Sequence, residues 1–265
     1  MKGAVKAIFT EHLIEYCEAI PFDECSVLYE RKIASLGFSP QTAILFAIPY
    51  YAGEFCERNL SLYAVARDYH LFFEGFSREL TEALAALFPH AHFAAFSDNS
   101  PIDEREAAAK AGLGLKGKNR LLITEKYASY VFLGEVLTDL PYHEIGTLSD
   151  FTIKECEGCG ACLAACPKKD MCLSALTQKK GLLTEEEEGE IRALGLAWGC
   201  DACQIVCPHT KHAEVTPIAF FKEALIPQLT AESLEAMSED DFNSRAYAWR
   251  GRKTILRNLR LLSEE

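Results

Sequence analysis

With 265 residues, 49% hydrophobic and 25% charged, the chain has the composition of a soluble globular protein of one or two domains with ample core. Its net charge of −12 excludes indiscriminate nucleic-acid binding, but not a local basic patch that reads one RNA. No apolar run reaches the roughly 20 residues of a membrane span, and no basic–apolar–small signal opens the chain. Eleven cysteines then imply a reducing compartment, so a cytoplasmic protein without membrane attachment is expected.

Residues 1 to about 38 mix helical and extended patterns and carry no legible chemistry. Ile44-Leu-Phe-Ala-Ile48, ending at Pro49, reads as a buried strand. From about Leu60 to Leu87, Leu62, Tyr69, Phe73, Phe76, Leu80, Leu84 and Leu87 recur at three- and four-residue steps, which predicts one long amphipathic helix ended near Pro89. Phe93-Ala-Ala-Phe96 is a second short strand running into the turn-rich Ser97-Asp98-Asn99-Ser100-Pro101. A helix follows from about Asp103 to Ala111. Asp98 could simply cap it, since Asp is a favoured N-cap residue.

Gly112-Leu-Gly114-Leu-Lys-Gly117-Lys118-Asn119 formally matches G-x-G-x-x-G, but it follows a helix and precedes a strand-like run, Arg120 to Thr124. A dinucleotide fingerprint needs the opposite order, so this is a loop whose glycines admit close backbone approach. Tyr130 to Leu137 reads as a strand with Glu135 inside it. Thr184 before Glu185 to Glu188 predicts a capping box and a solvated acidic helix start, with the helix running to about Trp198. Near the end, Arg245 to Arg260 holds six basic and two aromatic side chains in sixteen residues, a local inversion of charge. It is either a solvated helix face or a nucleic-acid contact.

The chemistry is concentrated in the cysteines. Cys156-Glu-Gly-Cys159-Gly-Ala-Cys162-Leu-Ala-Ala-Cys166-Pro167 is C-x2-C-x2-C-x3-C-P, and Cys200-Asp-Ala-Cys203-Gln-Ile-Val-Cys207-Pro208 is the same run without its first Cys. In two-cluster ferredoxins the fourth Cys of such a run ligates the other cluster. With Cys172 supplying the missing thiolate, Cys156, Cys159, Cys162 and Cys207 serve one [4Fe–4S] cluster and Cys166, Cys172, Cys200 and Cys203 the other. Structural zinc would crowd three ligands too closely, disulfides suit small secreted domains, and buried structural cysteines would not fall at this spacing twice. Cys17, Cys25 and Cys56 pack as small hydrophobes. Two clusters pass single electrons, and about 150 leading residues are more than an electron carrier requires.

Asp98-Asn-Ser-Pro101-Ile-Asp-Glu104-Arg105, the glycine loop through Lys118-Asn119, Gly134-Glu135-Val-Leu-Thr-Asp139, the two cysteine runs and Trp249-Arg250-Gly-Arg252-Lys253 through Arg257-Asn258 together resemble the epoxyqueuosine reductases. The resemblance covers about residues 40 to 260 in the right order. It implies an α+β architecture: a cobalamin-binding α/β domain over 1–148, a ferredoxin-like domain with two [4Fe–4S] clusters over 149–212, and a short helical C-terminal segment with a basic patch over 213–265. The implied activity is reduction of epoxyqueuosine in tRNA to queuosine, with electrons passed from the clusters to cobalamin.

By the same resemblance Asp98 is the proton donor. A carboxyl of ordinary pKa, ~3.9, would need raising for that task, and burial against an apolar corrin face would raise it. The cobalamin contacts implied are Tyr69, His70, Asp98, Lys118, Asn119, Thr124, Glu135, Lys180 and Asp201, each with a plainer role open to it as a core aromatic, a satisfied helix histidine, a surface lysine or a turn aspartate. Arg250, Arg252, Lys253 and Arg257 are the implied tRNA contacts. The expected partners are tRNA carrying epoxyqueuosine and an external ferredoxin- or flavodoxin-like electron donor, with the protein itself a monomer. A short form is expected, without the family's C-terminal helical-repeat domain. The alternatives are a corrinoid iron–sulfur reductase of a small epoxide or halide, and a non-catalytic ferredoxin-type electron carrier.

Overall fold

Thr42–Pro49 is buried at all eight positions, and the first fold unit is built around this strand. In the computed structural model, which describes residues 1–166 and 171–263, the strands are β1 (Tyr16–Pro21), β2 (Thr42–Pro49), β3 (Phe93–Phe96), β4 (Leu115–Lys116), β5 (Leu122–Ile123) and β6 (Val131–Thr138). Pro167, which closes the first cysteine run, lies outside the described residues. In chain order the helices begin with α1 (Gly3–Glu11), α2 (Glu30–Ala34), α3 (Leu62–Val65), α4 (Tyr69–Leu87), α5 (Glu104–Lys110), α6 (Tyr142–Ile145) and α7 (Ala161–Ala165). They continue with α8 (Leu173–Thr177), α9 (Glu185–Leu194), α10 (Ala202–Ile205), α11 (Ala231–Ala236), α12 (Glu239–Asn243) and α13 (Arg252–Ser263).

Contacts divide the chain into two discontinuous units: residues 1–50, 72–159 and 209–218, and residues 51–71, 160–208 and 219–265. In the first, an antiparallel sheet runs β1-β2-β6-β3. Because side chains alternate along a strand, the sheet has two distinct faces. Phe46 meets Phe9 of α1 and Phe73 and Phe76 of α4 on one of them. Leu45 and Leu137 pack on the other with Ala107, Ala108 and Ala109 of α5, whose small side chains let the helix lie close to the strands. Architecture is therefore mixed α and β, with helices on both faces of the sheet.

The glycine loop is a hairpin between β4 and β5. A side chain at Gly114 would collide with the carbonyl of Ile123 on the facing strand, so what approaches the glycine closely is the hairpin itself.

In the second unit Trp198 and Tyr247 are fully buried beside Leu60, Val65, Leu234 and Ile255. The periodic run expected as a single helix from Leu60 is split here. Ala66 is extended, and Asn59 to Ser61 instead pair with the segment before Cys200, through Ala197 N–H to Asn59 O (2.7 Å) and Ser61 N–H to Trp198 O (2.8 Å). The helix after Thr184 has the predicted capping box with Glu187. It stops at Leu194 rather than near Trp198, because Gly195 takes a left-handed conformation as C-cap.

Candidate functional site

The β3–α5 connection is where the first unit gathers its polar chemistry. Asp98 is exposed and has φ of 63°, a left-handed backbone uncommon outside glycine but one that Asp tolerates better than most residues. The cap of α5 is Asp103, whose carboxylate accepts the Glu106 N–H at 3.1 Å, so Asp98 is not the helix cap. Lys32 donates to the Asn99 carbonyl at 2.9 Å and also to its side chain, fixing the loop from α2. Behind the loop, Ser100 closes a tight exchange with Ile102, donating to its carbonyl and accepting from its N–H.

Two carboxyls lie beneath this loop. Glu135 sits opposite Leu45 and Phe96 in the sheet, on the side that faces α5, and is 0% exposed. By strict geometry neither of its oxygens is paired among the described residues: the Ser100 hydroxyl, near enough to lower the Glu135 pKa, donates to Ile102 O. Burial pushes its pKa from 4.5 up to about 8, with a further push from Glu104, while Ser100 and Lys32 act the other way. Glu104 opens α5; burial first, then Asp98, pushes it up to about 7, against Arg105 and the Asp98 backbone N–H that its carboxyl accepts. Both carboxyls therefore hold protons in a range where an exposed one would not.

The residues expected to meet corrin are dispersed. In the first unit Lys118 pairs with Glu155 at 2.7 Å. Asn119 accepts the Leu121 N–H, leaving a buried amide nitrogen with no partner among the described residues. The buried Thr124 hydroxyl donates to Ala128 O at 3.0 Å. In the second unit His70 is held by Asp68, which accepts both its backbone N–H and its ring nitrogen's contact at 2.8 Å, and Tyr69 lies against the His70 ring. Lys180 is exposed. Asp201, 0% exposed, does not cap its own turn; it accepts from Arg58 at 2.7 Å and from Leu62 N–H at 2.9 Å. The fit to a corrin is thus partial: Asn119 offers an uncommitted donor suited to amide side arms, whereas Thr124 and Asp201 are engaged within the fold.

No disulfide joins any of the eleven cysteines, and Cys56, expected to pack as a small hydrophobe, is exposed. Within the second unit Cys166, at the end of α7, and Cys172, at the start of α8, lie near enough to Cys200 and Cys203 to act on them electrostatically. Burial and these neighbouring sulfurs push Cys203 up to about 11 and Cys200 upward as well. Bound iron would reverse that field and take the thiolates. Four sulfurs within electrostatic reach of one another are consistent with the donor set of an iron–sulfur cluster. No group of His, Cys, Asp or Glu among the described residues is disposed around a single metal ion, and a four-iron cluster does not ask for one.

Gly199, with φ of 76°, brings its backbone against the Ser61 side chain, where a Cβ would collide. Asn258, fully buried on α13, donates to Thr177 O (2.7 Å) and Ala197 O (2.8 Å), tying α8 to the approach to Cys200. Cys162 and Cys207 also belong to this unit. In the first unit Cys156 is pinned by its N–H to Lys116 O, Cys159 ends the segment, and His209 meets Glu157 at 2.9 Å.

Of the expected tRNA contacts, Arg252 and Arg257 have internal tasks. Arg252 donates to Leu234, Met237 and Ser238 carbonyls and to Glu239, over the Phe242 ring. Arg257 donates to Gly181 O and Asn258 Oδ1. Arg250 stacks on the exposed Trp249, and Lys253 is exposed. Sequence reasoning gave no role to Arg58, Lys32 or Glu104. An Arg among ordinary loop residues carries no local signal of a partner some 140 positions away.

No protein-family model matches the chain. An epoxyqueuosine reductase of Listeria monocytogenes is 31% identical over 262 residues, covering 89% of this chain and 67% of the relative. One of Bacillus cereus is 31% identical over 209 residues, 72% of this chain and 53% of the relative. The chain thus spans between about half and two thirds of the length of these curated relatives. Among solved structures, epoxyqueuosine reductase from Streptococcus thermophilus superposes with a TM-score of 0.81 at 23% identity, over 97% of this chain and 79% of that one. An epoxyqueuosine reductase bound to a tRNA-Tyr epoxyqueuosine-modified stem loop gives 0.77 at 22%, over 98% and 79%. One from Bacillus subtilis, solved with its catalytic Asp loop swung out of the active site, gives 0.75 at 22%, with the same coverage. These structures establish the shared fold, and the relatives lend no support to a corrinoid reductase of a small epoxide or halide or to a non-catalytic electron carrier. On the strength of the Listeria relative, 31% identical over 89% of this chain, the chain belongs to the epoxyqueuosine reductase family.

Proposed function

We propose that this chain reduces the epoxide of epoxyqueuosine in tRNA to the alkene of queuosine, with Asp98 as the proton donor at the leaving oxygen. Family membership supports the reaction. The observation that carries the residue is the placement of Asp98: an exposed carboxylate on a left-handed loop residue, relieved of any capping role by Asp103, with proton-holding carboxyls behind it. Two [4Fe–4S] clusters on the eight cysteines and a cobalamin, when bound, would supply the two electrons. Asn119 and Lys118 would meet corrin side arms, and Arg250 with Lys253 would meet RNA. We further propose a cytoplasmic monomer served by a ferredoxin- or flavodoxin-like donor; no helix among the described residues is long and apolar enough to cross a membrane.

Anaerobically reconstituted protein with cobalamin, a strong reductant and epoxyqueuosine-containing tRNA tests the proposal, with the modified nucleoside followed by mass. The expected result is conversion to queuosine by the native chain and its loss in Asp98→Ala with iron content unchanged. Corrin binding with the nucleoside unaltered would refute the tRNA substrate, and full activity of Asp98→Ala would refute the proton donor.

A further inference from the structure

The balance of the reaction asks for more than one acid. An epoxide oxygen that leaves as water takes up two electrons and two protons, one C–O bond breaking at each carbon as the alkene forms. Asp98 can deliver one proton and must be reprotonated before it can deliver another. We propose that Glu104 and Glu135 form an internal proton store that refills Asp98, so that both protons reach the departing oxygen through that one residue. The proposal rests on the reading of the chain as an epoxyqueuosine reductase.

Placement supports it. Glu104 is the near member, joined to Asp98 through the backbone N–H that its carboxyl accepts. One of its oxygens is buried without a partner among the described residues. Glu135 is the far member, fully buried in mid-strand with neither oxygen paired by strict geometry among the described residues, and Glu104 acts on it electrostatically. Nature seldom leaves a carboxyl in such a place, since an unpaired buried charge is costly and an unpaired buried polar atom costs about 1–3 kcal/mol. Burial raises both, Glu104 to about 7 and Glu135 to about 8, so each holds a proton for part or most of the time near neutrality.

Among the described residues, the charged and titratable groups acting on the pair are Lys32 from α2, Asp98 from the loop, Asp103 and Arg105 at the start of α5, and the Cys25 thiol, itself pushed up to about 12 by burial and then by Glu135. Lys32 and Arg105 favour the charged forms but are outweighed by burial. Glu104 and Glu135 act through Asp98 and are positioning residues, not catalytic ones. With a low-potential one-electron donor supplying electrons, one turnover removes one proton from Asp98 and one from the pair, which refills from solvent while Asp98 is exposed.

The test is the pH profile of single-turnover conversion by reconstituted protein, for the native chain, Glu104→Gln and Glu135→Gln, beside infrared titration of protein carrying carbon-13 in its glutamate carboxyls. Expected are a native rate sustained to about pH 7, an alkaline limb displaced by at least one pH unit toward acid in both variants, and about a tenfold slower rate at pH 7.5. Iron content and tRNA affinity should be unchanged. The infrared spectrum should show protonated carboxyl that titrates between pH 6 and 9 and is diminished in each variant. If Glu135→Gln does not fold, Glu104→Gln, which keeps an acceptor for the Asp98 N–H, carries the test. Native conversion with an unaltered profile in the variants, or glutamates fully ionised at pH 7, overturns the proton store alone. No conversion by the native chain overturns the functional reading and the store with it.

Discussion

Arg58→Met probes the cysteine-bearing unit at its most exposed electrostatic weakness. Asp201 stands between Cys200 and Cys203 with a side chain 0% exposed, and its Oδ2 is held by Arg58 at 2.7 Å and Leu62 N–H at 2.9 Å. Its Oδ1 has no partner among the described residues. Removing the guanidinium leaves a buried carboxylate with one hydrogen bond, a change that costs about 3–5 kcal/mol. Loss of the Arg58 bond to Leu60 O adds about 1 kcal/mol, which the methionine stem offsets by packing. For a chain of this size the sum lowers the melting temperature by roughly 10 °C. Thermal unfolding of the anaerobic holoprotein, with iron per chain measured alongside, reads both the stability and the hold on the cysteine loop. Arg58→Met with Asp201→Asn should recover about half of the loss, because the charge is then gone. If Arg58→Met costs under about 1 kcal/mol, or the second substitution recovers nothing, Arg58 is not the counterion that keeps Asp201 in place.

Asn258→Ala removes two donors to Thr177 O and Ala197 O and the acceptor for Arg257, and should destabilise by about 3 kcal/mol while releasing iron from the holoprotein more readily on dilution. Glu135→Gln should change stability with pH. The folded chain binds this proton more tightly than the unfolded one, so the contribution is whole below about pH 4.5 and is lost as pH rises through about 8. Between pH 6 and 8 the native chain should therefore lose about 2 kcal/mol more than the variant, read as a narrowing gap in melting temperature. Arg250→Glu with Lys253→Glu should weaken tRNA binding at least tenfold by filter binding with the melting temperature unchanged, whereas Arg252→Glu should unfold the protein before any RNA is added.

Strands were legible where the environment is uniform: Ile44 to Ile48, Phe93 to Phe96 and Tyr130 to Leu137 are apolar because both faces of that sheet are covered. The helix from Leu60 was misread for a reason periodicity cannot detect. Leu62 has helical spacing from Tyr69, but the backbone of Ser61 and Leu62 is claimed by Trp198 and by Asp201, which lie far along the chain. Cysteine spacing announced a donor set without announcing that residues 51–71 fold with it. Glu135 was visible as a charge inside a strand. That its carboxyl is orphaned, and that Glu104 stands beside it, depends on the fold of the β3–α5 loop.

The basic stretch shows why composition alone misplaces function. Arg245 to Arg260 looks like one RNA-facing patch because six cations lie close together in sequence. A guanidinium has five donors in a fixed fork, and a buried carbonyl competes for them as well as a phosphate does. Arg245 gives one to Ala224 O, Arg252 satisfies three carbonyls and a carboxylate, and Arg257 fastens Gly181 and Asn258. Arg260 pairs with Glu235 at the surface, where the exchange with a phosphate is nearly free. Within an acidic chain, the cations left for an anionic partner are therefore those whose donors the fold has not already spent. That singles out Arg250 and Lys253, beside the exposed Trp249 face on which a base could stack.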